Sequence, residues 1–266
     1  MKIKIGSLEM YCHDSNSGDP VLFVHAFPLH GGMWQEQINL LPQRWRFLAP
    51  DLRGFGRSAA DMEGPLTMET MADDLTDLLD AARVEQATVC GLSMGGYVAL
   101  ALYRRSPERV RALILADTRA GADSEQQQEG RREMAEKVLR EGAATAADAL
   151  IPRLLSDKTR QGRPDLVQSV RAMIEQNPPA TISAALEGMA ERPDSTSLLP
   201  NIQVPTLVMV GADDVLTPPT ESEIMAQAIP EAQLRVIPDA GHLANLENPT
   251  AFNHEIVQFM EAIQGH

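Results

Sequence analysis

The sequence predicts an α/β fold, with a mostly parallel sheet that is flanked by helices and interrupted by a helical insertion. In residues 1–119, short runs of apolar residues alternate with helix-like segments, as expected of parallel strands buried on both faces. Residues 120–195 are rich in Ala, Glu, Gln and Arg and contain no convincing strand, and the alternation of strands and helices resumes at residue 204. One sheet with a helical insertion is the simplest interpretation.

The part before the insertion contains six predicted strands. The first two alternate polar and apolar residues around Gly6-Ser7, which predicts an antiparallel hairpin. The six strands are residues 2–5, 8–12, 21–24, 46–49, 87–90 and 112–115. Helices are predicted at residues 33–41 and 94–105 and after Thr67, whose hydroxyl can cap a helix. Helical spacing buries an apolar face of that helix and predicts that Asp73, Asp74 and Asp77 face water.

The insertion is predicted to contain four helical segments. The insertion is predicted to be broken by Gly142, Pro152, Pro164 and Pro178-Pro179. Beyond the insertion, strands are predicted at residues 204–210 and 233–237, with helices after Pro218-Pro219 and at 249–263. This order predicts one domain formed by residues 1–119 and 196–266 and a second, helical domain formed by residues 120–195.

Composition and charge exclude several classes of protein. A hydrophobic share of 44% with 23% charged residues is typical of a globular chain. The net charge of −14 repels phosphate, which argues against nucleic acid or an anionic membrane as the partner. The N-terminus lacks the apolar region of a signal peptide, and no apolar run approaches the roughly 18 residues of a membrane span. We therefore expect a cytoplasmic protein.

The two cysteines, Cys12 and Cys90, lack metal-ligand spacing, so neither a metal nor a cofactor is predicted.

The most informative segment is residues 91–95, which read Gly-Leu-Ser-Met-Gly. They match the pattern Gly-x-Ser-x-Gly and lie between a predicted buried strand and a predicted helix. A sharp turn at this place lifts the serine hydroxyl above the edge of the sheet, and the two glycines let strand and helix approach closely. The N-terminus of the helix also favours negative charge that develops beside the serine. The pattern predicts that Ser93 is a nucleophile.

A serine hydroxyl needs a base to remove its proton, and the base needs an acid that orients it. His242 follows the last predicted strand, where sites form in open α/β sheets, and is the predicted base. His25 is interpreted as part of a loop scaffold. Asp213 and Asp214 both follow the preceding strand and compete for the role of the acid. Asp214 is favoured, and Asp117 is a third candidate.

The remaining requirement is a pair of backbone N–H groups that stabilise negative charge on the reacting carbonyl oxygen, the oxyanion hole. One donor is expected to be Met94, the residue after the nucleophile. The other is expected in the loop at residues 25–28. Because Pro28 has no N–H, Phe27 is the predicted donor.

Six segments together resemble the α/β-hydrolase superfamily over essentially the whole chain. They are residues 25–28, 51–58, 91–96, 204–208, 211–214 and 241–242. Within the superfamily, the chain is most similar to the branch of 3-oxoadipate enol-lactonases, small carboxylesterases and cofactor-free haloperoxidases. The resemblance implies an eight-stranded, mostly parallel sheet with a helical cap after the sixth strand. It also implies that Asp214 is the acid and that residues 120–195 are the cap that fixes substrate choice. The chain differs from the family at Ala26, where relatives usually have glycine.

The predicted function is hydrolysis of a small-molecule carboxylic ester or lactone through an acyl-enzyme on Ser93. Dehalogenases and epoxide hydrolases of this fold need an aspartate at the nucleophile position, so Ser93 argues against both. Three alternatives stay open: carbon–carbon bond hydrolysis with the same triad, a ligand receptor with little turnover, and perhydrolysis. The last rests on Pro28, since a proline in this loop accompanies peracid formation in the resembling haloperoxidases and perhydrolases.

Overall fold

The computed structural model describes residues 1–6, 8–42, 44–58, 60 and 62–264. Its strands are β1 (Lys2–Ile5), β2 (Leu8–Asp14), β3 (Asp19–Val24), β4 (Trp45–Pro50), β5 (Ala87–Leu92), β6 (Val110–Ala116), β7 (Thr206–Gly211) and β8 (Gln233–Ile237). They form one sheet in the order β1-β2-β4-β3-β5-β6-β7-β8. The pairs β1–β2 and β2–β4 are antiparallel, and all other pairs are parallel. The predicted mostly parallel, eight-stranded sheet is confirmed; Ser7, in the predicted hairpin turn, lies outside the described residues.

Helices cover the sheet and fill the insertion. They are α1 (Gln35–Leu40), α2 (Met68–Ala81), α3 (Met94–Arg105), α4 (Glu125–Glu141), α5 (Ala143–Leu154), α6 (Asp157–Gly162), α7 (Pro164–Glu175), α8 (Pro179–Ala190), α9 (Pro219–Ala228), α10 (Ala244–Glu247) and α11 (Pro249–Gln264). Every residue of β5 and β7 is buried, which explains why their sequences are apolar without alternation. In the part of the chain that the structure describes, none of the helices has the length and apolar character needed to cross a bilayer.

The insertion after β6 is helical, as predicted, but it contains five helices, α4 to α8, rather than four. The additional one is the short α6, which begins after Ser156, whose hydroxyl accepts a hydrogen bond from the N–H of Thr159. Pro152 does not separate two helices but lies inside α5. A proline removes one hydrogen bond there, and α5 ends two residues later, so the cost is confined to its last turn. The predicted division into two domains at residues 120 and 195 stays a prediction.

Asp74 is an exception to the predicted polar face of α2. Asp73 and Asp77 are exposed, whereas Asp74 is buried and accepts a hydrogen bond from Nε of Arg53 at 2.8 Å. The prediction that Asp74 faces water is wrong, because the loop that carries Arg53 folds over this turn of the helix. Helical periodicity distinguishes apolar from polar positions but does not show which polar side chain receives a partner from a distant loop.

The register of the parallel strands brings their carboxyl ends to one edge of the sheet. Val24 pairs with Gly91, Leu92 with Ala116, and Gly211 with Ile237. The loops that follow β3, β5, β6, β7 and β8 therefore open on the same side, as is typical of ligand sites in open α/β sheets.

Candidate active site

Ser93 occupies a strained turn between β5 and α3. Its backbone has φ 57° and ψ −116°, a conformation that a residue with a side chain rarely adopts and that surrounding contacts must hold in place. Its N–H donates to the carbonyl of Ala116 at 2.9 Å, and its carbonyl accepts the hydroxyl of Thr118 at 2.8 Å. The end of β6 thus fixes the backbone of the predicted nucleophile.

The two motif glycines are required by close packing. A Cβ added at Gly91 would lie 2.2 Å from the carbonyl oxygen of Gly95. A Cβ added at Gly95 would lie 2.1 Å from the carbonyl oxygen of Val24. Both are backbone atoms, which cannot swing away as a flexible side chain can. Strand and helix can therefore meet at this sharp turn only if both positions lack a side chain.

The structure brings the predicted base and acid to Ser93. Nε2 of His242 lies 2.8 Å from Oγ of Ser93, and Nδ1 of His242 lies 2.8 Å from Oδ2 of Asp214. His242 and Asp214 are buried. An ionised Asp214 can only accept a hydrogen bond, so Nδ1 carries the proton and Nε2 is left to accept from the Ser93 hydroxyl. This is the protonation state that a general base requires.

Hydrogen bonds keep Asp214 ionised although it is buried. Burial opposes ionisation of this carboxyl, but His242 and the hydrogen bonds from Thr217 outweigh that effect and lower its pKa. Oδ1 accepts from the backbone N–H groups of Leu216 at 2.8 Å and Thr217 at 3.1 Å, and Oδ2 accepts from the Thr217 hydroxyl at 2.7 Å. Asp213, the competing candidate, is exposed.

Asp117, the third candidate for the acid, has a different environment. It is fully buried at the end of β6, and its Oδ1 accepts the N–H of Gly211 at 2.7 Å. Its Oδ2 has no hydrogen-bond partner among the described residues. Burial, together with the nearby charges of Asp214 and Glu247, raises the pKa of Asp117 well above its usual range. A carboxyl whose pKa is raised is a poorer partner for an imidazolium than Asp214, whose pKa is lowered.

Replacing Asp117 by asparagine is expected to change how stability depends on pH. A carboxyl whose folded-state pKa is raised contributes stability below its unfolded pKa of about 4, and that contribution is lost as pH rises. Asparagine stays neutral, so the free energy of unfolding of the variant should gain on that of the wild type as pH rises above the unfolded pKa of about 4. Urea titrations at several pH values measure this difference. A constant difference over that range would show that Asp117 does not hold a proton in the folded protein.

The loop at residues 25–28 lies beside Ser93 and provides the second predicted donor. Among the described residues, no acceptor is hydrogen-bonded to the N–H of Phe27 or to that of Met94, so both are available to a ligand oxygen.

Nε2 of the buried His25 accepts the N–H of Leu52 at 3.0 Å, and burial lowers the pKa of His25 to about 4. His25 is therefore neutral and braces the loop. The Pro28 carbonyl accepts Nδ2 of Asn177, in the insertion, at 2.7 Å.

Glu247 was not predicted from the sequence, although it supports the loop that carries His242. Its Oε1 accepts the N–H of Gly241 at 2.8 Å, and its Oε2 accepts the N–H of Ser156 at 2.9 Å. Since Gly241 directly precedes His242 and Ser156 lies between α5 and α6, this buried carboxylate connects the histidine loop to the insertion. No local pattern marks Glu247, because one of its two partners, Ser156, lies 91 residues away in the sequence. Thr217, whose hydroxyl donates to Asp214, was also not predicted to belong to the site. The one sequence feature that points to it is its position three residues after Asp214.

A cavity of about 300 Å³ opens between the sheet edge and the insertion. Phe27, Ser93 and His242 lie on its wall, and apolar side chains of the insertion, including Leu186 and Met189, form another part of it. In the described part of the chain, no group of three or more His, Cys, Asp or Glu side chains is arranged to hold a metal ion. An ester that enters this cavity can place its carbonyl carbon next to the Ser93 hydroxyl.

Comparisons with known proteins agree with this geometry. Residues 19–249 match the family described as alpha/beta hydrolase fold. The chain is 31% identical to 3-oxoadipate enol-lactonase 1 of Acinetobacter baylyi, over 97% of this chain and 94% of that protein. It is 44% identical to a thermophilic esterase from Thermogutta terrifontis whose structure was determined with malate bound, with a TM-score of 0.94 and coverage of 99% of this chain and 98% of that one. The enol-lactonase from Burkholderia xenovorans is 28% identical, with a TM-score of 0.90 and coverage of 98% of this chain and 100% of that one. The chain therefore belongs to the α/β-hydrolase fold family, in the branch that contains esterases and enol-lactonases.

Proposed function

We propose that this α/β hydrolase cleaves small carboxylic esters or lactones through an acyl-enzyme on Ser93. The observation that carries the proposal is the continuous chain of hydrogen bonds Ser93–His242–Asp214, with 2.8 Å at each step. A hydroxyl, an imidazole and an ionised carboxylate in this order form an activated nucleophile. The esterase and enol-lactonases that resemble the chain support the same reaction class.

The first half of the proposed reaction forms the acyl-enzyme. Oγ of Ser93 attacks the ester carbonyl carbon while Nε2 of His242 takes the hydroxyl proton. The carbonyl oxygen becomes an oxyanion, which the N–H groups of Phe27 and Met94 stabilise. His242 is then a cation, and ionised Asp214 stabilises it. The C–O bond to the alcohol breaks, and the departing oxygen receives the proton from His242.

Water completes the reaction. It enters beside His242, which removes one of its protons as the water oxygen attacks the acyl carbon, and the same N–H groups stabilise the second oxyanion. The bond to Ser93 Oγ breaks, Oγ regains its proton from His242, and the carboxylic acid leaves. A lactone follows the same steps, except that the alcohol remains attached to the acyl group until water releases both as one hydroxy acid.

The insertion is proposed to act as a cap domain that selects the substrate, over a core formed by residues 1–119 and 196–266. Side chains from residues 120–195 form much of the cavity wall. The cavity volume of about 300 Å³ lies at the small end of ligand sites, which span about 300–1,000 Å³. Acyl groups of a few carbons are therefore the expected substrates.

Hydrolysis of a graded set of p-nitrophenyl esters, together with a panel of lactones, tests the proposed function. The expected result is hydrolysis that is fastest for short acyl groups and declines as the chain outgrows the cavity. A wild-type protein that hydrolyses no ester and no lactone in these panels would contradict the proposal.

A second candidate activity, perhydrolysis, is favoured by the loop at residues 25–28. Asn177 fixes the carbonyl of Pro28, whereas the carbonyl of Phe27 accepts no hydrogen bond from the described residues. Phe27 lies on the wall of the same cavity as Ser93. We propose that its carbonyl orients hydrogen peroxide by accepting a hydrogen bond from it, while His242 removes the proton of the attacking oxygen. Peroxide then replaces water in the attack on the acyl-enzyme, and the product is a peracid.

Replacing Pro28 by leucine tests the role of the proline in this side reaction. Leucine frees φ at this position, so the loop should hold its carbonyls less firmly and the ratio of perhydrolysis to hydrolysis should fall. The measurement is the yield of peracid and of acid from an acetate ester with added peroxide, for wild type and variant. Because hydrolysis is the internal reference, partial loss of folded protein does not affect the ratio. Equal ratios would rule out a role for Pro28 in peracid formation.

A further inference from the structure

The oxyanion loop, which we define as residues 25–28, is fixed on both sides of Phe27. The carbonyl of Ala26 accepts the N–H of Leu29 at 2.9 Å and Nδ1 of His25 at 3.0 Å. The N–H and the carbonyl of Phe27, by contrast, are hydrogen-bonded to no residue that the structure describes. The loop is therefore held around Phe27 and leaves free the N–H that the proposed mechanism uses as an oxyanion donor.

Asn177, in the insertion between α7 and α8, fixes the other side of this loop. It is 1% exposed, and its Nδ2 donates to the carbonyl of Pro28 at 2.7 Å and to the carbonyl of Met173 at 2.9 Å. Its Oδ1 accepts the N–H of Gly56 at 2.7 Å. Both amide protons and the amide oxygen are thus engaged, which fixes the orientation of the side chain. One buried amide connects the end of α7, the oxyanion loop and the loop at residues 51–58.

The loop at residues 51–58, which Asn177 holds through Gly56, also braces the chain at both ends of the oxyanion loop. At its start, Nε2 of His25 accepts the N–H of Leu52 at 3.0 Å. Beyond its end, Oδ1 of the buried Asp51 accepts the N–H of Gly31 at 2.8 Å. Loss of the Asn177 amide would therefore loosen the oxyanion loop directly and through this second loop.

The ring of Pro28 links the anchored carbonyl to Phe27. It fixes φ of Pro28, so the peptide groups before and after this residue have a single rotatable bond between them. The hydrogen bond from the N–H of Leu29 to the carbonyl of Ala26 closes the turn and limits that rotation. An anchor on the Pro28 carbonyl therefore also limits movement of the Phe27 backbone.

A fixed N–H matters most when the carbonyl oxygen of the substrate carries negative charge. That charge exists only in the transition states and the tetrahedral intermediates. A displaced N–H therefore raises the barrier, whereas binding of the neutral ester changes little. Loss of the anchor is expected to affect kcat rather than KM.

We propose that Asn177 is a positioning residue for the oxyanion hole, through which the insertion holds the N–H of Phe27 in place. Asn177 is not among the described residues that line the cavity, so it acts through the carbonyl of Pro28 and not by touching the substrate. The inference rests on the proposed function, and it gives the insertion a part in catalysis in addition to selection of the substrate.

Replacing Asn177 by leucine tests this role, because leucine has nearly the same shape but neither donates nor accepts. Removal of an oxyanion donor lowers kcat by about 10²–10³-fold. Here the donor is displaced and not removed, so the expected loss in kcat for p-nitrophenyl acetate is roughly 10- to 100-fold, with KM near the wild-type value. Asn177→Ala is measured in parallel, since it adds no bulk, and thermal unfolding shows which variants are folded.

Thr181→Val is the matched control. Thr181 is a buried residue of α8 whose hydroxyl donates to the carbonyl of Gly54 at 3.1 Å. The substitution therefore removes a hydrogen bond between the insertion and the loop at residues 51–58, but none to the oxyanion loop. We expect kcat of this variant to stay near the wild-type value.

Trifluoroacetone provides a readout that a merely structural role would not change. Oγ of Ser93 forms a bond to its carbonyl carbon, the Ser93 proton passes to Nε2 of His242, and the carbonyl oxygen becomes an alkoxide in the oxyanion hole. Its dissociation constant, measured by fluorine NMR without turnover, should rise in the Asn177 variants by about the factor by which kcat/KM falls.

Three outcomes would overturn the role of Asn177: folded variants with wild-type kcat and ketone affinity, a loss confined to KM, or an equal loss in Thr181→Val. Hydrolysis by the wild type in those cases still supports the proposed function. If the wild type binds the ketone covalently but hydrolyses no ester, the proposed function fails, and the ketone affinities alone decide whether Asn177 positions the oxyanion hole. A wild type that does neither overturns both.

Discussion

Replacing Ser93 by alanine is expected to lower kcat for ester hydrolysis by at least about 10³-fold, the loss typical of a nucleophile in a triad. The methyl group cannot form the acyl-enzyme, so only slow attack by water on the bound ester remains. Alanine keeps the Cβ. The hydrogen bonds that hold the turn run from the Ser93 N–H to the Ala116 carbonyl and from the Thr118 hydroxyl to the Ser93 carbonyl, so neither involves the lost hydroxyl. Stability is therefore expected to change little.

Steady-state kinetics with a short p-nitrophenyl ester measure the loss, and thermal unfolding shows whether the variant is folded. Ser197→Ala is the matched control, since Ser197 is exposed in the turn Thr196–Asn201, and it should retain wild-type kinetics. A folded Ser93→Ala variant with wild-type kcat would exclude Ser93 as the nucleophile.

Replacing Asp214 by asparagine is expected to lower kcat by roughly 10³–10⁴-fold. Asparagine has nearly the same shape but no charge, so it cannot stabilise the imidazolium that forms when His242 takes the proton. Its NH₂ group can also donate to Nδ1 of His242, which moves the ring proton to Nε2 and removes the base that faces Ser93. The loss should therefore appear in kcat far more than in KM.

The neighbouring Asp213→Asn variant provides the control, because it removes the same charge one residue away. Asp213 is exposed, and we expect its replacement to leave kcat near the wild-type value. The comparison is made with one ester under one set of conditions. A large loss in Asp213→Asn with a small one in Asp214→Asn would assign the acid to Asp213 instead.

The order of strands and helices could be predicted from the sequence because each strand or helix is determined by residues that are close together in the chain. The bounds of β8 and α3 agree with their predicted ranges, since continuous apolar runs and helical spacing both arise within a few residues of chain. The prediction that Ser93, Asp214 and His242 lie close together needed one more rule. Parallel strands place the loops that follow their carboxyl ends at the same edge of the sheet. The positions of these three residues after β5, β7 and β8 were enough to apply it.

The features that could not be predicted depend on contacts between distant segments. Asp74 has the helical position of an exposed residue, and only the loop of Arg53 determines that it is buried. Glu247 receives N–H groups from two separate loops. The cavity wall combines Arg119, before α4, with Arg131 in α4 and Arg153 in α5. Sequence spacing does not show which polar side chains meet around a cavity formed by such distant segments.

Covalent labelling with a fluorophosphonate, followed by mass spectrometry of the peptides, tests the central claim most directly. The probe reacts with a serine only where a base removes its proton and N–H groups stabilise the developing charge. The proposed mechanism predicts a single adduct, on Ser93 in the wild type, and no adduct in the folded Ser93→Ala variant. An adduct on another residue, or equal labelling of both proteins, would contradict it.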